Sequence, residues 1–147
     1  MMIGRFTKHF KARRSEWLLA AVTLAIGFSY LTTPGLFGRS AIFATMDAIM
    51  SQARWGELFA GIGVMRLVML WINGSWSISP YFRTLGAFVS GILWLVLLLS
   101  QSFADTPPQT RWVWFVFLIF DMVNASDAAR DAGASKANSK LREVDNA

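Results

Sequence analysis

Apolar residues along this chain are gathered into four long blocks that are separated by short polar breaks. A soluble domain would instead alternate apolar and polar positions with the period of its helices or strands. Each block is long enough to cross a bilayer as a helix, which takes roughly 17 to 25 residues. The pattern therefore predicts an all-α membrane protein with four transmembrane helices, at about residues 17–33, 56–72, 83–103 and 112–129.

A further helical segment, at about residues 40–55, has a different pattern. Apolar side chains recur from Ile42 onward at helical spacing, while polar ones such as Asp47 and Arg54 fall mainly on the opposite side. Ser40 precedes the segment as a candidate N-cap. We expect one short interfacial amphipathic helix here. It either rests at the membrane interface and caps the bundle, or binds a partner or lines a pore.

Two polar segments flank the blocks. Residues 1–16 combine basic side chains with Phe6 and Phe10, a composition suited to lying on an anionic lipid leaflet. Residues 130–147 are polar and mixed in charge, which is typical of a flexible, partly helical tail. We therefore divide the chain into a basic cytoplasmic juxtamembrane arm (1–16), a transmembrane domain (17–129) and a cytoplasmic tail (130–147).

Lysine and arginine set the expected orientation, because they are concentrated in the cytoplasmic segments of membrane proteins. With both ends of the chain inside, ten of these residues lie on the cytoplasmic side and three outside, while Arg66 falls within a block. We expect a multi-pass protein of a bacterial inner membrane with cytoplasmic N- and C-termini. Its expected partners are the lipid bilayer, anionic at the arm, and either copies of itself or another membrane protein.

Composition narrows the functional classes. Of the 147 residues, 54% are hydrophobic and 14% aromatic, more than in an ordinary soluble domain. The net charge of +5 comes from cations beside the apolar blocks, which argues against nucleic acid as a partner. Cysteine is absent, the only histidine is His9 in the arm, and no motif of a metalloprotease, serine hydrolase or P-loop protein occurs. We expect no enzymatic activity, no metal and no cofactor.

Arg66 lies inside the second block, where an arginine at the centre of a lone helix costs about 2.5 to 3.5 kcal/mol. It follows Glu57 by nine residues, and Asp121 follows Trp112 by nine residues in the other block that enters from outside. Both side chains then lie about 13 Å below the outer surface. The sequence predicts an ion pair between Arg66 and Asp121. The alternatives are that Arg66 extends to the cytoplasmic headgroups, or that its charge serves a water path or a switch.

Small residues share the face of the second block that carries Arg66, as close helix packing in lipid requires. The predicted packing positions are Gly56, Ala60 and Gly63 in the second block, and Gly86 and Ser90 in the third.

Residues 63–94 contain a compact series of features: an arginine in a span, Ile-Asn-Gly, a Ser-Pro turn, another arginine, and Gly-Ala opening the next span. The residues concerned are Arg66, Ile72, Asn73, Gly74, Ser79, Pro80, Arg83, Gly86 and Ala87. This series resembles a signature of small multi-spanning membrane proteins encoded by tailed phages and prophages. Those proteins have further arginines after Asn-Gly, where this chain has Ser-Trp-Ser-Ile-Ser. The resemblance implies a phage origin and no catalytic role. Asn73, Gly74 and Pro80 are typical turn residues, so we expect a tight turn here that includes Arg83, on the cytoplasmic side by the orientation given above; the missing arginines argue against a basic binding role for it.

These features favour a non-enzymatic membrane protein that acts by assembly, as a holin-like lesion former or as a phage membrane component. One alternative is a small ion or proton channel or transporter that uses Arg66 and Asp121. Another is a structural subunit that binds another membrane or virion protein through residues 40–55 or through the tail.

Overall fold

The structure, a computed structural model, describes residues 13–72, 79–104 and 108–145, and beyond Ala134 it describes side chains only at 136 and 137. This part of the chain contains helices and no strands. The α-helices are α1 (Arg14–Thr32), α2 (Ala44–Ile49), α3 (Gln52–Trp71), α4 (Ser79–Phe103) and α5 (Pro108–Asp145). The all-α prediction is confirmed.

Three helices are long and apolar enough to cross a membrane: α1, α4 and the Pro108–Ala134 part of α5. The sequence predicted four, so the prediction for residues 56–72 is wrong by this measure. Those residues lie in α3, which has 20 residues, but every 18-residue stretch of α3 includes Arg54, Glu57 and Arg66. Charge, and not length, separates α3 from the other three helices.

The four long helices pack as two antiparallel hairpins. Helix α1 packs most extensively on α3, and these two form the first hairpin; α4 packs most extensively on α5, and these form the second hairpin. Contacts of α3 with α4, and a shorter contact of α1 with α5, close the bundle. The hydroxyl of Ser15 donates to the amide oxygen of Asn124 at 2.9 Å, so the start of α1 lies beside the middle of α5. We call this the basal end.

Glycine allows the two helices of the first hairpin to approach closely. A Cβ atom at Gly63 would lie 2.6 Å from the backbone nitrogen of Leu24, and one at Gly27 would clash with the backbone of Ala60. Gly56 packs against the last turns of α1 in the same way. The predicted packing positions of the second block therefore face α1. Their partner Gly27 was not predicted.

The segment between α1 and α3 folds over the end of the bundle opposite the basal end. It is not the continuous helix predicted for residues 40–55. A 3-10 turn (Ala41–Phe43) leads into α2, the backbone is extended at Met50, and α3 starts afresh at Gln52. Ser40 caps the 3-10 turn, accepting a hydrogen bond from the amide of Ile42.

Side chains of α3 fasten this segment to the bundle. The Gln52 amide donates to the carbonyls of Tyr30 and Thr33, both at 2.7 Å, and the Trp55 indole donates to the carbonyl of Met46 at 2.8 Å. Met46 is fully buried beside Trp55. The break at Met50 brings these two residues together, so the segment rests on the bundle end.

Both helices of the second hairpin begin earlier than predicted, and α5 also ends later than predicted. Helix α4 begins at Ser79, which places Pro80 in the first turn, where its missing amide hydrogen costs no helical hydrogen bond. Arg83 is thus a helical residue. Helix α5 continues to Asp145 through the segment predicted as a flexible tail. Asn73 and Gly74, and residues 1–12 of the predicted arm, lie outside the described residues.

Candidate functional site

A buried ion pair joins the two hairpins at mid-height. Arg66 on α3 donates from Nη2 to Oδ1 of Asp121 on α5 at 2.6 Å, and from Nη1 to Oδ2 at 2.9 Å. Arg66 is 3% exposed and Asp121 is 0% exposed. The pairing is bidentate, the geometry in which a guanidinium binds a carboxylate most strongly. The structure thus brings together the two residues that the sequence paired, and Arg66 does not extend to the headgroups.

Three further groups donate to the same carboxylate. The Trp94 indole nitrogen donates to Oδ2 at 2.7 Å, the Ser90 hydroxyl also donates to Oδ2, and the Asn124 amide donates to Oδ1 at 3.4 Å. Arg66 additionally donates to the Ser90 hydroxyl oxygen. We call these five residues the central cluster. With five donors on its two oxygens, the carboxylate is both neutralised and fully hydrogen-bonded, which is the condition for burying such a charge.

Helix α4 makes room for the arginine. A Cβ atom at Gly86 would lie 2.8 Å from Cγ of Arg66 and 3.0 Å from Cε of Met65. Gly86 and Ser90 are four residues apart and so share one face of the helix. The predicted packing positions of the third block are therefore part of the site: one admits the side chain of Arg66 and the other binds it.

A second group of charges lies at the basal end. Arg83 donates from Nε and Nη2 to the carboxylate of Glu16, at 2.9 and 2.6 Å, and from Nη1 to Asp131 at 3.1 Å. Arg13 donates to the same oxygen of Asp131 at 2.7 Å. Glu16 and Arg83 are buried, whereas the Asp131 side chain is 44% exposed. We call these four residues the basal cluster.

The basal cluster corrects one prediction. Arg83 was expected in a cytoplasmic turn, but it lies inside α4 and binds two carboxylates. The sequence did contain a signal for this pair, because Glu16 is the only acidic residue before Asp47 and directly precedes the first apolar block. Asp131 had been assigned to the tail, and only the continuation of α5 brings it to Arg83.

Burial lowers the pKa of the Arg13 guanidinium, and the nearby cation of Arg83 acts in the same direction. The carboxylates of Glu16 and Asp131 act in the opposite direction. An arginine nevertheless stays charged at neutral pH, because its reference pKa lies far above 7. The two cations of the basal cluster are therefore held together by the two carboxylates between them.

Three ion pairs join the first hairpin to the second. They are Arg66–Asp121, Glu16–Arg83 and Arg13–Asp131. Along α4 the two clusters are separated by residues 83 to 90, about 10 Å. Ser15 directly precedes Glu16 of the basal cluster and donates to Asn124 of the central cluster, so the two clusters are adjacent in the bundle.

Aromatic rings cover the central cluster on the side away from the basal end. Trp94 stacks on Trp114 with ring centroids 5.9 Å apart, and it meets Phe117 and Phe59 edge-on at 5.2 and 6.0 Å. These contacts fix the ring that donates to Asp121. They also surround the central cluster with apolar side chains on this side.

Among the residues that the structure describes, no group of three histidine, aspartate or glutamate side chains is placed to hold a metal ion. The carboxylates of both clusters bind arginine instead. Comparison with protein-family models, curated proteins and solved structures finds no match to this chain.

Proposed function

We propose that this chain is a non-enzymatic integral membrane protein that acts by assembling with copies of itself in a bacterial inner membrane. Its form is a holin-like lesion former or a membrane component of a phage; the phage origin rests on the sequence resemblance. One observation carries the proposal: the charges of the central cluster are buried between the hairpins, while large apolar side chains are exposed along the outer faces of the bundle. On α5, for example, Val113, Val116, Ile119 and Val123 are 44 to 52% exposed. Such faces suit lipid tails and other helices in lipid.

We include α3 among the crossing helices. Its 20 residues span about 30 Å, the thickness of the hydrocarbon core. The hydropathy of α3 is low partly because it carries Arg66, but that charge is compensated by Asp121 and does not face lipid. Four crossings place both termini on one side, and the excess of lysine and arginine assigns that side to the cytoplasm.

Exposed amphipathic rings support this placement. Trp71 and Tyr81 are 70% and 52% exposed near the basal end, and Trp112 is 65% exposed near the opposite end, where it lines a groove with Leu98. Tyrosine and tryptophan prefer the two membrane–water interfaces. The distance along the axis of α4 between Tyr81 and Leu98 is about 26 Å, close to the thickness of the hydrocarbon core of a bilayer, about 30 Å.

The test is inducible expression in bacteria, with the state of the protein in the membrane measured by single-molecule photobleaching. We expect oligomers. In the lesion-forming case we also expect growth arrest at a defined time, and cell lysis once a muralytic enzyme is supplied. A chain that accumulates to high density as a monomer without arresting growth would contradict the proposal.

A channel or transporter is the second candidate, and the succession of hydrogen-bonded polar side chains Asp121, Asn124 and Ser15 on the way to the basal end favours it. The saturated carboxylate of Asp121 favours a structural role for the pair instead. Ion and proton flux in liposomes, measured at several pH values and membrane potentials, separates the two. Flux that depends on pH or potential and disappears in a folded Asp121→Asn variant would establish the transport function.

A further inference from the structure

We propose that copies of this chain assemble by exchanging hairpins, so that Arg66 of one copy pairs with Asp121 of a second copy. The inference rests on the proposed function, since it states which surface holds the copies together. That surface is the polar boundary between the first and second hairpins, and the partner is a second copy of the same chain.

The two kinds of helix contact in the bundle differ. Within the first hairpin, backbones touch at Gly27 and Gly63, where a side chain of any size would clash. Between the hairpins the contacts are made by side chains: the ion pairs and hydrogen bonds of the central and basal clusters, and the apolar cluster in which Phe59 packs with Trp94 and Leu97. A second copy of the chain carries the same side chains at this boundary.

Each hairpin alone carries a buried charge that it cannot neutralise, Arg66 in the first and Asp121 in the second. The pair of Glu16 with Arg83 also crosses the boundary, and each of these two residues has a further partner in its own hairpin, Arg13 and Asp131. A charge of this kind must find a partner in lipid. The second hairpin of another copy presents Arg83 and Asp121 at the same depths in the membrane, because copies inserted in the same orientation place equivalent residues at equal depth. A neighbouring copy can thus satisfy both pairs as well as the chain's own hairpin does.

Chain connectivity and synthesis order permit the exchange. Arg66 is made 55 residues before Asp121, a delay of roughly 3 to 11 s at about 5 to 20 residues per second. During that time its own partner does not yet exist, whereas earlier copies can supply one. Residues 73–78 join the hairpins and reach at most about 20 Å, more than the 8–10 Å between packed helices.

Charge reversal on separate chains tests the proposal directly. Arg66→Asp and Asp121→Arg are each expected to reduce the folded yield severely when expressed alone. When the two variants are co-expressed under different tags, exchange pairs Asp with Arg at both sites, so we expect the yield to recover several-fold and the tags to co-purify. The same result is expected for Glu16→Arg with Arg83→Glu. Recovery by both reversals in one chain, without recovery by the co-expressed chains, would overturn the proposal.

A second measurement does not depend on whether charge-reversed variants fold. The chain contains no cysteine, so Ser15→Cys and Asn124→Cys can be placed on two differently tagged copies. Their side chains touch across the hairpin boundary, with the polar atoms 2.9 Å apart. Mild oxidation in membranes is expected to give a disulfide-linked dimer. Ser15→Cys with Ser126→Cys is the matched control, since Ser126 lies on the exposed side of α5.

The outcomes separate this inference from the proposed function. A dimer from the 15/124 pair and none from the 15/126 pair supports exchange. Equal cross-linking of both pairs, or oligomers in membranes without any cross-link between copies, overturns exchange and leaves assembly through the outer faces. Monomers throughout would overturn both the inference and the proposed function.

Discussion

Asp121 receives both terminal nitrogens of Arg66 across the boundary between the two helix hairpins, at 2.6 and 2.9 Å. This ion pair explains how an arginine can lie within an apolar block of the sequence. An arginine that faces lipid opposes membrane insertion. Arg66 instead binds a carboxylate whose oxygens are fully hydrogen-bonded, and the pair joins the two hairpins. The pairs Glu16–Arg83 and Arg13–Asp131 cross the same boundary, so this boundary is the feature from which most predictions follow.

Neutralising Asp121 should destabilise the bundle strongly. Asp121→Asn leaves the Arg66 guanidinium buried without a counter-charge, and we expect the free energy of unfolding in detergent to fall by about 3–5 kcal/mol. Asp127→Asn on the same helix is the control. Asp127 pairs with Arg130 at 3.5 Å on the surface, so its loss should change stability by at most about 1 kcal/mol. Equal effects of the two substitutions would contradict a structural role for the central pair.

Arg83 should not tolerate lysine. A lysine cannot donate to both oxygens of Glu16 while also reaching Asp131, so Arg83→Lys is expected to cost about 1–3 kcal/mol of unfolding free energy. Arg130→Lys makes the same change at a side chain that is 83% exposed, and should lie within about 0.5 kcal/mol of the parent protein. A lysine at 83 that matches the parent in stability would show that the basal cluster contributes little.

Two glycines of α3 should respond oppositely to the same substitution. Gly63→Ala places a Cβ atom 2.6 Å from the backbone of Leu24, and we expect a loss of about 1–3 kcal/mol. Gly61→Ala meets nothing within 4 Å and should stabilise the helix by up to about 1 kcal/mol. Denaturant titration of both variants in one detergent measures the difference. The close approach of α1 and α3 would be disproved if alanine stabilised both positions.

Replacing the Trp94 indole should separate its hydrogen bond from its ring contacts. Trp94→Phe keeps an aromatic ring beside Trp114 but removes the donor to Asp121, and we expect a cost of about 1–3 kcal/mol. Trp112→Phe serves as the control, because Trp112 is 65% exposed. If both substitutions have equal effects on unfolding, Trp94 acts through packing alone.

Labelling of single cysteines should show whether α3 crosses the membrane. With four crossings, Arg39→Cys is expected to react with a membrane-impermeant maleimide from the outside, whereas Trp71→Cys and Ala137→Cys react only after the cells are opened. All three residues are exposed in the structure, so accessibility within the fold is comparable. Labelling of Trp71→Cys from the same side as Arg39→Cys would show that α3 does not cross.

The sequence by itself determined the helical class, the three helices that are long and apolar enough to cross a membrane, and the pairing of Arg66 with Asp121. These properties are local or nearly so. Apolar block length reports crossing capacity, and the rise per residue converts a nine-residue spacing into depth, which is why Arg66 and Asp121 could be matched before any contact was known. The packing positions of α3 followed equally from the spacing of small residues along one face.

Tertiary structure alone decided which charges are buried at the basal end and where the helices stop. Arg83 and Asp131 read as exposed by position, because a residue near a predicted block end is ordinarily solvated. The burial of Arg83 and its contact with Asp131 depend on α4 starting at Ser79 and on α5 continuing past residue 129, where the block was predicted to end. Likewise, nothing local distinguishes Gly27 from other glycines until α3 lies against it. Such contacts depend on the relative rotation of two helices, which is set by the sum of all their side-chain contacts and not by the periodicity of either helix.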